Sequence, residues 1–229
     1  YDFKKFKYFA GHSLGEYSAL ACIGSISFED TLKILQKRGK FMQEAVPSGE
    51  GTMLAVLGIA SKELEKILET NNKKYECFIA NDNSNLQVVV SGLKKDINLL
   101  SDDLNNKKIK NLKLNVSAPF HCKYMKSASE KMTSYINDLK MNDLEKPIIS
   151  NVTANETSSS KEIKSLLISQ IEKKVRWLES VEYMINNGVK NFVEIGPGKV
   201  LSGLIKRINK NVNVNSINSE EDIKLLIND

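Results

Sequence analysis

The chain has 229 residues, 41% of them hydrophobic and 27% charged, which fits a folded globular protein and excludes a disordered tail or a disulfide-stapled miniprotein. It contains no apolar run of about eighteen residues, so we expect neither an integral membrane protein nor a membrane partner. The 33 lysines and arginines against 28 acids give a net charge of +5, spread along the chain, which favours acidic partners and does not indicate nucleic acid. Three cysteines without a CxxC pair predict a reducing compartment and no metal site.

The first fifty residues predict a strand, a sharp turn and two helices. Residues 6–10 form a short, aromatic-rich segment, which is typical of a strand. Residues 16–22 and 29–45 have helical patterns, and the second helix begins among acidic residues and ends before Pro47. The chain shows no signal peptide, and we expect it to begin inside a domain.

Residues 51–117 predict a separate β-α-β-β-α-β unit. Its predicted strands lie at 53–59, 77–80, 86–91 and 110–116, and its helices at 62–70 and 94–105. This order is ferredoxin-like, and the polar residues 81–85 are typical of a tight connection between the two middle strands. We interpret the unit as an inserted subdomain.

The chain then returns to longer elements. Helices are predicted at 125–139, 164–172, 181–187 and from 199 onward, with strands at 148–152 and 191–195 and a polar loop at 153–160. The alternation predicts an α/β class with a mainly parallel sheet covered on both faces. The expected organisation is a catalytic core of residues 1–50 and 118–229, interrupted by residues 51–117.

Gly11-His12-Ser13-Leu14-Gly15 forms a GxSxG pentapeptide between a predicted strand and helix. Small residues on both sides allow a strained turn that exposes the serine, and the following backbone N–H, that of Leu14, can stabilise an oxyanion. Ser13 is therefore the candidate nucleophile. The alternative is an ordinary glycine-rich turn.

A serine nucleophile needs a general base, and the chain has two histidines. His12 adjoins Ser13, so its side chain should point away and pack beneath the turn. His121 is the base by elimination, presented from a loop that follows Pro119. The alternative is a histidine without a catalytic partner.

Arg38 is one of three arginines in the chain and falls on the apolar stripe of its predicted helix. A planar guanidinium at an inward position indicates bidentate binding of an anion such as a carboxylate. The alternative is an internal ion pair with an Asp or Glu.

Four segments together resemble the malonyl-CoA:acyl-carrier-protein transacylase family of type II fatty acid synthesis. They are GHSLGEYSAL at 11–20, KRGKFMQEAVP at 37–47, SAPFH at 117–121 and VEIGPGKVL at 193–201. The resemblance implies an α/β-hydrolase-like core with an inserted ferredoxin-like subdomain. It also implies that Ser13 is acylated, that His121 is the base and that Arg38 grips the free carboxylate of the malonyl group.

The resemblance assigns further residues. It implies that the backbone carbonyl of Gln170 orients the catalytic histidine, that Phe120 belongs to a malonyl-selective motif, and that Asn83 and Gln87 lie near the pocket. In this family a strand and a loop before the GxSxG segment supply the second oxyanion N–H. This chain starts a dozen residues before Ser13, so we expect an N-terminally incomplete transacylase.

The implied activity is ping-pong transfer of a malonyl group from malonyl-CoA to the phosphopantetheine thiol of acidic acyl carrier protein, without a metal or bound cofactor. We expect a monomer. Two alternatives remain open, a serine hydrolase of thioesterase or esterase type and an inactive fragment of the transacylase. Lysine and asparagine enrichment suggests an AT-rich genome, consistent with a parasite plastid (apicoplast-like) stroma or with the cytoplasm of a low-GC bacterium.

Overall fold

The computed structural model describes residues 5–227, and residues 1–4 and 228–229 of the predicted core lie outside the described residues. The fold is mixed α/β, as predicted. In chain order its elements are β1 (Phe9–Ala10), α1 (Leu14–Cys22), α2 (Phe28–Glu44), β2 (Gly51–Leu57), α3 (Ser61–Thr70), β3 (Cys77–Ser84), β4 (Gln87–Leu93), α4 (Lys94–Asn106), β5 (Asn111–Lys113), α5 (Lys126–Asp138), β6 (Ile148–Ile149), β7 (Glu156–Thr157), α6 (Ser160–Gln170), α7 (Trp177–Asn186), β8 (Asn191–Ile195), α8 (Val200–Ile208), β9 (Asn213–Ile217) and α9 (Glu220–Ile227).

The strands outside residues 51–117 form two small sheets, whereas a single mainly parallel sheet is predicted. β1 pairs in parallel with β6, which pairs antiparallel with β7, and β8 pairs in parallel with β9. β7 lies within the segment predicted as a polar loop. It was missed because its two residues are too few to show an alternating pattern. β9 was not predicted, because its segment is short and rich in asparagine, a residue that is depleted in strands.

Residues 51–113 form one antiparallel sheet in the order β3-β4-β2-β5. One face of β2 and β4 packs with α3 and α4 in a core that includes Leu54, Val90 and Leu100. The opposite face, which carries Met53 and Val89, packs with Phe120.

The predicted tight connection at 81–85 is wrong. β3 continues to Ser84 through two register shifts, and its last residues are buried. The polar side chains of Asn81 and Asp82 suggested a turn, but tertiary packing places them in the strand.

Helices α1, α2, α5 and α6 share a second core around Tyr17, Met42 and Met132. This packing sets α1 against α2, so that Ser13, the residue before α1, faces the side of α2 that carries Arg38.

No described helix is long and apolar enough to cross a bilayer.

Candidate active site

Ser13 lies on a strained backbone at the junction of β1 and α1. Its φ of 54° is positive, a conformation that non-glycine residues rarely adopt, and it directly precedes the N-terminus of α1. A Cβ on Gly11 would lie 2.0 Å from the backbone C and O of Gly15, so the turn requires glycine at position 11. A Cβ on Gly15 would meet nothing within 4 Å. The prediction that small residues are needed on both sides therefore holds for Gly11 only.

Asn151 fastens this turn. Its Oδ1 accepts a hydrogen bond from the Ser13 N–H at 2.7 Å, and its Nδ2 donates to the Gly11 carbonyl at 2.7 Å. The Ser13 N–H is thereby occupied, whereas the Leu14 N–H, the first of α1, has no hydrogen-bond partner within residues 5–227. The Leu14 N–H is the backbone donor available beside the serine hydroxyl.

The serine hydroxyl lies beside His121. Ser13 Oγ is 2.8 Å from His121 Nε2, and His121 Nδ1 is 2.8 Å from the carbonyl oxygen of Gln170. A carbonyl only accepts, so Nδ1 carries the proton and Nε2 can receive one. The arrangement has the geometry of a nucleophile, a base and an orienting acceptor, with a backbone carbonyl where many serine enzymes use a carboxylate.

Arg38 completes the cluster from α2. Its Nη2 donates to Ser13 Oγ and to Gln170 Oε1, both at 2.9 Å. It is 6% exposed, stacks 5.5 Å over the Tyr17 ring, and forms no ion pair with a residue in the described range. The alternative of an internal ion pair is therefore wrong.

Burial changes the acid–base properties of the cluster. Desolvation, and secondarily the nearby Arg38 charge, lower the pKa of His121 to about 3, so its imidazole is neutral at physiological pH. Desolvation raises the pKa of Glu16 to about 7, against hydrogen bonds from Gln170 and the Asn151 backbone and the charge of Arg38. Sequence reasoning missed Glu16 and Asn151. Glu16 is part of the GHSLGE segment, and Asn151 lies within the predicted strand at 148–152, two residues beyond the observed β6.

The remaining predicted residues lie around this cluster. His12 turns away from Ser13, as predicted, and its Nε2 is 2.8 Å from Asn83 Oδ1. Asn83 is thus engaged beneath the turn. Phe120 packs between two hydrophobic clusters and its carbonyl accepts a 2.5 Å bond from Ser91, while Gln87 accepts from the surface residue Arg207. Within the described range no group of three or more His, Cys, Asp or Glu side chains could hold a metal ion.

A serine on a strained turn, a neutral histidine and a buried guanidinium that contacts the serine oxygen form an arrangement of the kind used by acyl-transferring serine enzymes. The acyl transferase domain family matches residues 6–224. The chain is 41% identical over 220 residues to malonyl CoA-acyl carrier protein transacylase of Bacillus subtilis (strain 168), which covers 95% of this chain and 69% of the relative.

Solved structures that resemble this chain are likewise malonyltransferases. An acyl-carrier-protein-S-malonyltransferase from Bartonella henselae superposes with a TM-score of 0.94 at 40% identity, covering 98% of this chain and 72% of that one. A malonyl-transacylase in complex with a type II PKS acyl-carrier protein gives a TM-score of 0.92 at 35% identity, covering 97% and 73% of the two chains. The chain belongs to the acyl transferase family, within its malonyl CoA-acyl carrier protein transacylase group.

Proposed function

We propose that the chain transfers the malonyl group of malonyl-CoA to the phosphopantetheine thiol of acyl carrier protein through a malonyl ester of Ser13. The observation that carries the proposal is the position of Ser13 Oγ, which lies 2.8 Å from His121 Nε2 and 2.9 Å from Arg38 Nη2. A three-carbon acyl group on that oxygen has its free carboxylate within reach of the guanidinium, which binds carboxylates by charge-assisted hydrogen bonds.

In the first half-reaction His121 Nε2 accepts the hydroxyl proton as Ser13 Oγ attacks the thioester carbonyl. The oxyanion of the tetrahedral intermediate is stabilised by the Leu14 N–H at the positive end of α1. The carbon–sulfur bond then breaks, and CoA leaves as a thiol after taking the proton from His121. The products are CoA and malonyl-Ser13.

In the second half-reaction the carrier thiol gives its proton to His121 and attacks the ester. The ester bond breaks, Ser13 recovers the proton, and malonyl-carrier protein leaves. Arg38 holds the ester during the exchange, and this favours the docked thiol over water as the acceptor. We propose that the lysine excess steers the acidic carrier protein toward the site.

We further propose that residues 51–117 form a ferredoxin-like subdomain inserted in an α/β-hydrolase-like core of residues 1–50 and 118–229. The support is the β-α-β-β-α-β order with its own hydrophobic core. We propose a monomer, as expected from the sequence. The bacterial relatives give the plastid interpretation no support and favour the alternative, the cytoplasm of a bacterium.

The proposal is tested by intact-protein mass spectrometry after mixing the chain with malonyl-CoA, with Ser13→Ala as the control. We expect a malonyl-sized mass increase that disappears in the variant and is discharged by phosphopantetheinylated carrier protein. Rapid hydrolysis of an uncharged chromogenic ester without a stable adduct would favour the serine hydrolase. A folded chain without an adduct is retested with the relatives' N-terminal segment added: recovery of the adduct would favour the inactive-fragment alternative, and continued absence would contradict the transferase proposal.

A further inference from the structure

The side chain of Gln170 bridges two buried groups of opposite charge. Its Oε1 accepts from Arg38 Nη2 at 2.9 Å, and its Nε2 donates to Glu16 Oε2 at 2.6 Å. Gln170 is fully buried and Glu16 is 2% exposed, so water does not complete these contacts. The only carboxylate in the cluster is thus linked to the substrate-facing arginine through one amide.

The ionised Glu16 carboxylate determines, together with the Ser13 carbonyl, which way this amide points. Nε2 of Gln170 lies 2.6 Å from Glu16 Oε2, which only accepts when the carboxyl group is ionised, and 3.0 Å from the Ser13 carbonyl oxygen, which only accepts. Nε2 must therefore lie on that side and Oε1 on the side of Arg38. With the opposite orientation the amide would present N–H donors to a guanidinium that can only donate.

Arg38 needs this acceptor because it has few others. Its buried Nε has no hydrogen-bond partner among the described residues, and Ser13 Oγ is the other side-chain oxygen that Nη2 contacts. A long side chain without a fixed acceptor would sample several rotamers, and the loss of order would weaken binding of a small anion.

We propose that Glu16 is a positioning residue that fixes Arg38 for the substrate carboxylate by orienting the Gln170 amide. The inference rests on the proposed malonyl transfer. It predicts that Glu16 affects the choice of acyl group more than acyl transfer in general, since an acetyl group has no carboxylate for Arg38 to bind.

The test is a double-mutant cycle with Glu16→Gln, Arg38→Ala and the double variant, assayed with malonyl-CoA and acetyl-CoA. A neutral glutamine at position 16 both donates and accepts, so it no longer dictates the orientation of Gln170. We expect Glu16→Gln to lower kcat/KM for malonyl-CoA roughly tenfold or more and for acetyl-CoA by less than about threefold. In the Arg38→Ala background the same change should add less than about twofold.

The matched control is Glu44→Gln, an exposed glutamate on the same helix as Arg38, which should change neither rate. Equal losses with both thioesters, or independent and additive losses in the cycle, would indicate a structural role and overturn the inference. If Glu16→Gln does not fold, Glu16→Met removes the carboxylate from the bridge and leaves Gln170 unchanged, with its carbonyl toward His121 and its side chain toward Ser13. That variant should show the same malonyl-selective loss, and an unselective loss would also overturn the inference.

The outcomes separate the two proposals. If the wild-type chain transfers malonyl and the Glu16→Gln variant keeps the same preference for malonyl-CoA over acetyl-CoA, the positioning role of Glu16 is rejected and the transferase proposal stands. A wild-type chain that forms no malonyl adduct even with the relatives' N-terminal segment added would reject the transferase proposal and the role of Glu16 with it.

Discussion

Asn151 fixes the backbone around Ser13 although it lies far from the GxSxG pentapeptide in the sequence. One side-chain amide accepts from the Ser13 N–H and donates to the Gly11 carbonyl, both at 2.7 Å, although 138 residues separate Asn151 from Ser13. The strained φ of 54° at Ser13 is thereby fixed by a residue that is 1% exposed. The geometry of Ser13 depends on a contact that forms only in the folded protein.

Replacing Asn151 with Leu keeps the branched shape of the side chain but leaves the Ser13 N–H and the Gly11 carbonyl without partners. We expect the free energy of unfolding to fall by about 2–6 kcal/mol, since each of the two unsatisfied buried groups costs about 1–3 kcal/mol. Urea unfolding measures the loss. Asn155→Leu, at an exposed residue of the same loop, should stay within about 0.5 kcal/mol of wild type, and a similar loss in both variants would contradict the role of Asn151.

The two glycines of the pentapeptide should respond differently to alanine. Gly11→Ala places a Cβ 2.0 Å from the Gly15 backbone, so we expect severe destabilisation and loss of Ser13 acylation. Gly15→Ala meets nothing within 4 Å and lies in α1, where alanine is favoured over glycine by about 1 kcal/mol. Thermal melting and malonyl labelling check both variants. Equal damage at the two positions would show that close backbone approach is not the reason for Gly11.

Removing the guanidinium should change acyl selectivity. Arg38→Ala is expected to lower kcat/KM for malonyl-CoA by about 100-fold, and acetyl transfer by much less, because only the malonyl group has a carboxylate to bind. Lys40→Ala is the control, since Lys40 is an exposed cation on the same helix as Arg38. Equal losses with both thioesters would remove Arg38 from a role in specificity.

His121 should remain neutral in the folded protein at mildly acid pH, and His12 should protonate at a lower pH than in the unfolded chain. Burial lowers the pKa of His12, and burial with the Arg38 charge lowers that of His121 to about 3. The unfolded chain binds protons near pH 6.5 and the folded one does not, so these groups reduce stability as the pH falls below about 6.5. The imidazole proton shifts of His121, measured by NMR between pH 5 and 8, should show no titration step. A step near pH 6.5 for His121 would contradict its burial.

Glu16 should affect the pH dependence of stability in the direction opposite to the two histidines. Its pKa rises from 4.5 to about 7 on folding, so the folded state binds the extra proton and stability falls as the pH rises from about 4.5 to 7. Glu16→Gln removes this contribution. The variant should therefore gain about 3 kcal/mol relative to wild type between pH 4.5 and pH 8. Urea midpoints at the two pH values measure the gain, and parallel midpoints would show that Glu16 keeps an ordinary pKa in the folded chain.

Local sequence predicted the mixed α/β class, most helices and the placing of Ser13 at a strand–helix junction, because each depends on periodicity or on backbone conformations within a few residues. The elements that sequence missed have weak local signals. Residues 81–84 carry turn-forming side chains, yet extend β3 because their neighbours bury them, and β9 is too polar to show a buried strand.

The candidate site also contains residues that the sequence predicts and residues that only the structure shows. Ser13, His121 and Arg38 are visible in the sequence, since each residue type is chemically unusual at its place in a motif or on a helix face. The buried bridge from Glu16 through Gln170 to Arg38, and the clasp of Asn151 on the nucleophile turn, were decided only by the tertiary structure. An amide or a carboxylate carries no local signal for its partner. Its hydrogen bonds are chosen when folding removes water and leaves only distant parts of the chain to satisfy them.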